Sequence, residues 1–185
     1  MIRRPETIPP LEFRSARHGD GADLWRLVQR VGTLELNSAY FYMLFASDFG
    51  DTCLVAEHDG RPVGTVIGYR PPRDPYSAFV WQIGIAPELR GHRLGARLLQ
   101  AWLDLPANRD ARWLTATVAS DNLPSQKLFR GFARLTGVSC DESDHFPAEQ
   151  FPHEHPAERL FRIGPLSERS AVRGAAGASA ITVDT

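Results

Sequence analysis

The stretch 52–69, TCLVAEHDGRPVGTVIGY, restricts the fold of this chain more than any other. Two alternating, β-branched runs flank Asp59-Gly60, a dipeptide that tolerates the positive φ of a tight two-residue turn. The pattern predicts a β-hairpin, and the segments around it predict helices and further strands. LEFRSA (11–16) reads as a first strand. Asp20 is then the expected N-cap of a helix carrying Leu24, Leu27, Val28 and Val31 at helical spacing and ending near Gly32. A second helix, rich in Tyr and Phe, is expected over Asn37 to Ala46. After the hairpin, RPPRDP interrupts the chain before a strand at 78–86.

A helix over 91–104 would place Leu94, Leu98, Ala101, Trp102 and Leu105 on one stripe, with Arg90, Arg93 and Arg97 on another face. RWLTATV (112–118) is the next expected strand. Asp121 or Asn122 can cap a helix with Pro124 in its first turn and Leu128 and Phe132 on one side. Residues 139–157 are polar and read as irregular, and RLFRIG (159–164) reads as a closing strand. This order predicts a mixed α/β layer fold. Residues 1–10 are Pro-rich and expected to be a flexible segment; residues 11–166 are expected to form a single domain. The tail 167–185 lacks a core-forming pattern and is expected to be disordered.

With 185 residues the chain is long enough for one well-buried core. Its net charge of −1 argues against a nucleic-acid partner, since such proteins usually carry a basic surplus. Cys53 and Cys140 make neither a disulfide framework nor a paired metal-ligand motif, which suits a reducing cytoplasm. The basic start is followed by no apolar stretch, and no apolar run approaches the length of a membrane span. A cytoplasmic protein without a membrane partner is the expectation.

The junction at 80–99, VWQIGIAPELRGHRLGARLL, is a buried strand running into a helix. A helix N-terminus leaves N–H groups unsatisfied, and with the helix dipole makes an anion site. The dipole alone contributes only about 0.3–1 kcal/mol at an exposed site, so several N–H groups must act together. Arg90, Gly91, His92 and Arg93 at this turn fit a pyrophosphate; the competing reading is that Gly91 and Gly95 ease close packing and the arginines form a solvated face. Neither G-x-x-x-x-G-K-[ST] nor G-x-G-x-x-G is present.

R-x-x-x-x-G, from Arg90 to Gly95, resembles the acetyl-CoA signature [QR]-x-x-G-x-[GA] of the GCN5-related N-acetyltransferases, with Arg93 in place of the middle glycine. NLPSQKLFRGFARL resembles the same family's N-x-x-A-x-x-L-Y segment, with Asn122, Ser125 and Leu128 in step and Phe129 where a proton-donating tyrosine often stands. The resemblance implies the fold of that family, a central mixed, mostly antiparallel sheet flanked by helices. It also implies acetyl-CoA as co-substrate, bound by Ile83, Ile85, Arg90, Gly91, His92, Arg93, Leu94, Gly95, Ala96, Asn122, Ser125 and Phe129. The N–H near Ile85 would polarise the thioester carbonyl as a one-donor oxyanion hole.

Segments 34–57, 79–91 and 153–166 resemble the diaminobutyrate acetyltransferases of ectoine synthesis, through N-S-A-Y and R-I-G-P above all. That resemblance implies acetylation of the γ-amine of L-2,4-diaminobutyrate. Glu35 stands where that family has aspartate. Many relatives carry a strand glutamate where this chain has Trp81 and Gln82, so the base is sought at Glu154 and Glu158. Glu35 and Asn37 are expected to read the acceptor's charged end, with Trp81 walling its pocket and offering a cation–π contact. Capping for Asn37, a core position for Trp81 and a solvated surface for the two glutamates are the competing readings.

The cluster Cys140, Asp141, Asp144, His145, His153, Glu154 and His155 has no known zinc spacing, and no metal is expected. Relatives often dimerise, and the aromatic run at 40–45 offers a surface for a homodimer. Two alternatives stand beside diaminobutyrate acetylation: transfer to another small amine or a peptide N-terminus, and a non-catalytic acyl-CoA-binding module.

Overall fold

The computed structural model describes residues 10–90 and 93–166. Gly91, His92 and the two terminal segments read above as flexible and disordered, apart from Pro10, lie outside the described residues. Seven strands form one sheet: β1 (Glu12–Ser15), β2 (Leu54–His58), β3 (Arg61–Tyr69), β4 (Ser77–Ile85), β5 (Trp113–Ala119), β6 (Ser139–Phe146) and β7 (Glu158–Gly164). Their spatial order is β1-β2-β3-β4-β5-β7-β6, with β4 and β5 parallel and every other neighbouring pair antiparallel. The hairpin turns at Asp59 (φ 49°) and Gly60 (φ 69°), the left-handed pair its two-residue loop requires.

Four helices cover the sheet: α1 (Gly21–Val31), α2 (Ala39–Asp48), α3 (Leu94–Leu103) and α4 (Leu123–Thr136). Strand alternation sends Val66, Val80, Leu114, Ala116, Phe161 and Ile163 to one face, where they pack against Leu98, Leu99 and Trp102 of α3 and Phe129 and Phe132 of α4. Trp102 is fully buried, and its indole N–H donates to the Thr52 carbonyl at 2.6 Å. It fits only because Gly68 has no side chain: a Cβ there would stand 2.6 Å from Trp102 Cζ2. On the opposite face Leu24 and Val28 of α1 and Tyr42 and Ala46 of α2 pack on Val55 and Ile67.

Several expectations are corrected. Residues 139–146, read as irregular, form the edge strand β6. Its polarity hides it, because Glu142 pairs with Arg130 and Asp144 with Arg159, so charge occupies positions where periodicity would need apolar residues. Asp20 does not cap α1; its carboxylate accepts from Arg14 and from the Arg17 N–H. Ser38, not Asn37, caps α2, its hydroxyl accepting from the Phe41 N–H. The helix expected over 91–104 is formed over 94–103.

Candidate functional site

β4 and β5 pair only over Ser77–Val80 and Trp113–Ala116. Both strands continue, but unpaired with each other. The cause lies in β4: the register to β3 steps from Gly68↔Val80 to Ile67↔Gln82, leaving Trp81 as an extra residue in a bulge. A bulge bends its strand and sharpens the twist, and the separation of the parallel pair begins there.

Beyond the bulge, the Ala86 N–H donates to Val63 on β3 at 2.8 Å. Alternation then turns the N–H groups of Ile85 and Ile83 the other way, toward the gap on the β5 side. The Ile83 and Ile85 side chains pack against the α3–α4 core.

The gap opens into a cavity of about 730 Å³ on the sheet face that α1 and α2 leave uncovered. Its floor is the alternate positions Thr115, Thr117 and Ala119 of β5 with Glu158, Leu160 and Arg162 of β7. Glu35 and Trp81 line one side; His145, Phe151 and His155 of β6 and the β6–β7 connection line another. Trp81 is 49% exposed, so the core reading does not hold for it. Its ring lies 5.7 Å from that of Phe41.

Glu158 stands opposite Ala119 at the start of β7. Burial pushes its carboxyl above the ordinary value. Asp121 and Glu35 push the same way by like charge, while His155 and a hydrogen bond with the Thr117 side chain oppose. The His155 ring stacks on Phe151 at 4.1 Å, and its Nδ1 is 2.7 Å from the Pro156 carbonyl. Glu154, the other candidate base, lies on an exposed turn and is absent from the cavity wall.

Gln82 is a part of the site that sequence reasoning registered only as a missing glutamate. It is buried; its Oε1 accepts from the Tyr42 hydroxyl at 3.1 Å and its Nε2 donates to the Glu35 carbonyl at 2.6 Å. It therefore fastens the segment carrying Glu35 to β4. Asn37 does not line the cavity, and its N–H approaches the Tyr42 hydroxyl at 3.4 Å. Thr117 was also missed; the alternation of RWLTATV holds the signal, since Thr115 and Thr117 share a face.

At the turn into α3, Arg93 occupies the left-handed region (φ 55°, ψ 21°) and no side chain caps the helix. A glycine takes that conformation without strain, whereas an L-residue there costs roughly 1–2 kcal/mol. The uncapped N-terminus, with Leu94, Gly95 and Ala96 in its first turn, keeps the helix's leading N–H groups available. Gly95 also serves packing: a Cβ there would stand 2.8 Å from Leu128 Cδ1 of α4. Arg90 turns its guanidinium to the Val31 carbonyl at the end of α1. On α4, Asn122 caps the helix through the Ser125 N–H, and both residues edge the cavity. Phe129 is buried with its ring 6.0 Å from Phe161 and also reaches the cavity wall. Of the cluster read as a metal alternative, Asp144 lies 3.9 Å from Arg159, and among the described residues no three His, Cys, Asp or Glu are grouped so as to hold a metal ion.

The model of the Acetyltransferase (GNAT) family matches residues 22–132. The chain is 40% identical to the L-2,4-diaminobutyric acid acetyltransferase of Nocardia farcinica over 156 residues, 84% of this chain and 81% of the relative. It is 38% identical to that of Streptomyces coelicolor over 160 residues, 85% and 94% of the two chains. Among solved structures it resembles the diaminobutyrate acetyltransferase EctA from Paenibacillus lautus, in complex with L-2,4-diaminobutyric acid and coenzyme A. That likeness has a TM-score of 0.79 and 35% identity, over 85% of this chain and 96% of the other. The ribosomal-protein-S18-alanine N-acetyltransferase from Escherichia coli shares the fold at 16% identity, with a TM-score of 0.62 over 84% and 94% of the chains. The chain belongs to the GNAT acetyltransferases and, within them, to the family of the L-2,4-diaminobutyric acid acetyltransferases.

Proposed function

We propose that this protein acetylates the γ-amine of L-2,4-diaminobutyrate with acetyl-CoA, a step toward ectoine. The observation that carries the reading is a partly buried carboxylate, Glu158, on the floor of a cavity that opens onto the gap between β4 and β5. The names of the relatives at 36–40% identity support the same substrate. The residues present fit the coenzyme: the first turn of α3 offers uncapped N–H groups to its phosphates, and the gap exposes those of Ile83 and Ile85. Acetyl-CoA supplies the thioester whose acetyl group passes to the amine nitrogen while the coenzyme leaves as a thiol.

The protein's work is on the acceptor. An alkylammonium with a pKa near ~10 must lose a proton before its nitrogen can attack. Glu35 and Glu158 hold negative charge on two sides of the cavity and attract that ammonium, with the face of Trp81 adding a cation–π contact. Glu158 takes the proton, and its raised pKa brings it closer to the pH at which a base works best. The N–H groups of Ile83 and Ile85 are the donors for the carbonyl oxygen. Phe129 has no proton to give, so the sulfur departs as a thiolate and takes its proton from solvent, while the attacking nitrogen sheds its remaining extra proton as the amide forms.

A homodimer is part of the reading, supported by α2, whose Tyr40 and Met43 are exposed although the helix is almost wholly apolar. So is a cytoplasmic location, which suits the two free cysteines; no helix among the described residues is long and apolar enough to cross a membrane. The test is thiol release from acetyl-CoA across a panel of small amines, with mass spectrometry locating the acetyl group. Turnover strongest with diaminobutyrate and a label on the γ-nitrogen is expected. Preference for another amine overturns the substrate, and coenzyme binding without turnover overturns the enzyme.

A further inference from the structure

We propose that Arg90 is a positioning residue for the acceptor side of the site, although it opens the motif that marks the coenzyme turn. Its guanidinium donates to the Val31 carbonyl at 2.5 Å. Val31 is the last residue of α1, and carbonyls of a final helical turn lack intrahelical partners. A cation at that end is favoured by the helix dipole as well. Thr33, Leu34 and Glu35, which follow after Gly32, line the cavity.

Neighbouring contacts fasten the same two segments. Leu89 packs on the cluster of Leu27, Val31 and Ala86. Arg30, two residues before Gly32, donates to the Pro62 carbonyl at 3.2 Å and lies 3.9 Å from the Glu88 carboxylate. Further along, Gly84 leaves room for Leu34: a Cβ there would be 3.0 Å from Leu34 Cδ1. Gln82 then holds the Glu35 carbonyl. The segment 32–35 is thus anchored at its start by Arg90 and at its end by Gln82, both belonging to β4 or its continuation. Releasing the first anchor lets the Glu35 carboxylate wander relative to Glu158, across the space where the acceptor ammonium is held. A guanidinium committed to Val31 is not available to a phosphate, and the backbone N–H groups of the turn carry that task.

This inference rests on the acceptor reading above, and the experiment separates the two. Hydrogen exchange over residues 32–36 is followed in wild type, Arg90→Ala, Arg90→Gln and Arg90→Lys. Calorimetric titrations with coenzyme A, and with L-2,4-diaminobutyrate on the coenzyme-loaded protein, accompany it. Expected for Arg90→Ala are faster exchange over 32–36, an acceptor affinity about tenfold weaker (1.4 kcal/mol), and a coenzyme affinity within about twofold of wild type. Arg90→Lys, which keeps a charged donor, restores most of both effects. Arg90→Gln, shorter by two atoms, gives the same comparison if the alanine variant is unstable. Unchanged exchange overturns the inference, as does a coenzyme affinity that falls as far as the acceptor's. If exchange quickens but wild type does not bind diaminobutyrate, the anchor stands and the acceptor assignment falls.

Discussion

Replacing Glu158 by glutamine separates chemistry from structure at this site. Glutamine keeps the shape and still offers a carbonyl oxygen to the Thr117 side chain that hydrogen-bonds Glu158. What disappears is the ability to take a proton. General-base catalysis contributes about 10²–10⁴-fold, so kcat is expected to fall by that factor, about 2.7–5.4 kcal/mol in the barrier. Stability should move in the opposite direction. Burial raises the Glu158 carboxyl in the folded state, so the folded protein holds this proton more tightly than the unfolded chain does. The group's contribution is then fully present below the unfolded-state value, near ~4.3, and is lost as pH rises through the raised folded-state value. Glutamine has no such loss. The variant should therefore unfold at a higher temperature than wild type at neutral pH, and the difference should vanish below about pH 4. In wild type the acid limb of kcat/KM should lie above the usual carboxylate range, and it should be missing in the variant. Steady-state kinetics and thermal scans across pH read both effects. Undiminished turnover, or a fall in turnover accompanied by a lower Tm at neutral pH, would refute the assignment. Glu154→Gln, on the exposed turn, is the comparison: its effect on kcat should be at least about tenfold smaller if the base gains are those of a positioned group.

Three further outcomes follow from the packing. Gly95→Val places carbon within 2.8 Å of Leu128 Cδ1 and should cost about 1–3 kcal/mol by overpacking; denaturant unfolding and coenzyme titration should both weaken. Arg93→Gly removes a left-handed L-residue and should stabilise by up to about 1 kcal/mol after the added chain entropy of glycine, with coenzyme affinity retained or improved in calorimetry. Tyr42→Phe strips Gln82 Oε1 of its donor inside the protein. It should cost about 1–3 kcal/mol in denaturant unfolding and raise KM for the acceptor more than it lowers kcat.

Local chemistry made much of the fold legible. The Asp59-Gly60 hairpin, the apolar stripe of α3 and the Asn122 cap of α4 are encoded within a few residues of one another, and the structure contains each of them. The partial motifs, R-x-x-x-x-G from Arg90 and the segment from Asn122 through Leu128, marked the family. Other features were decided by neighbours remote in the chain. Strand β6 exists because β7 offers it a ladder and Arg130 and Arg159 neutralise its acids, neither of which its own polar sequence announces. The choice between Glu154 and Glu158 could not be made from two glutamates four residues apart. Sheet alternation puts Glu158 beside Thr117, and the exposed turn leaves Glu154 in solvent. Likewise the guanidinium of Arg90 reaches α1 rather than the turn that its motif describes. Periodicity, caps and turn dipeptides act over a few bonds and so can be read from sequence. Desolvation, strand separation and the direction of a long side chain depend on which distant residues fill the surrounding space, and only the folded chain sets that.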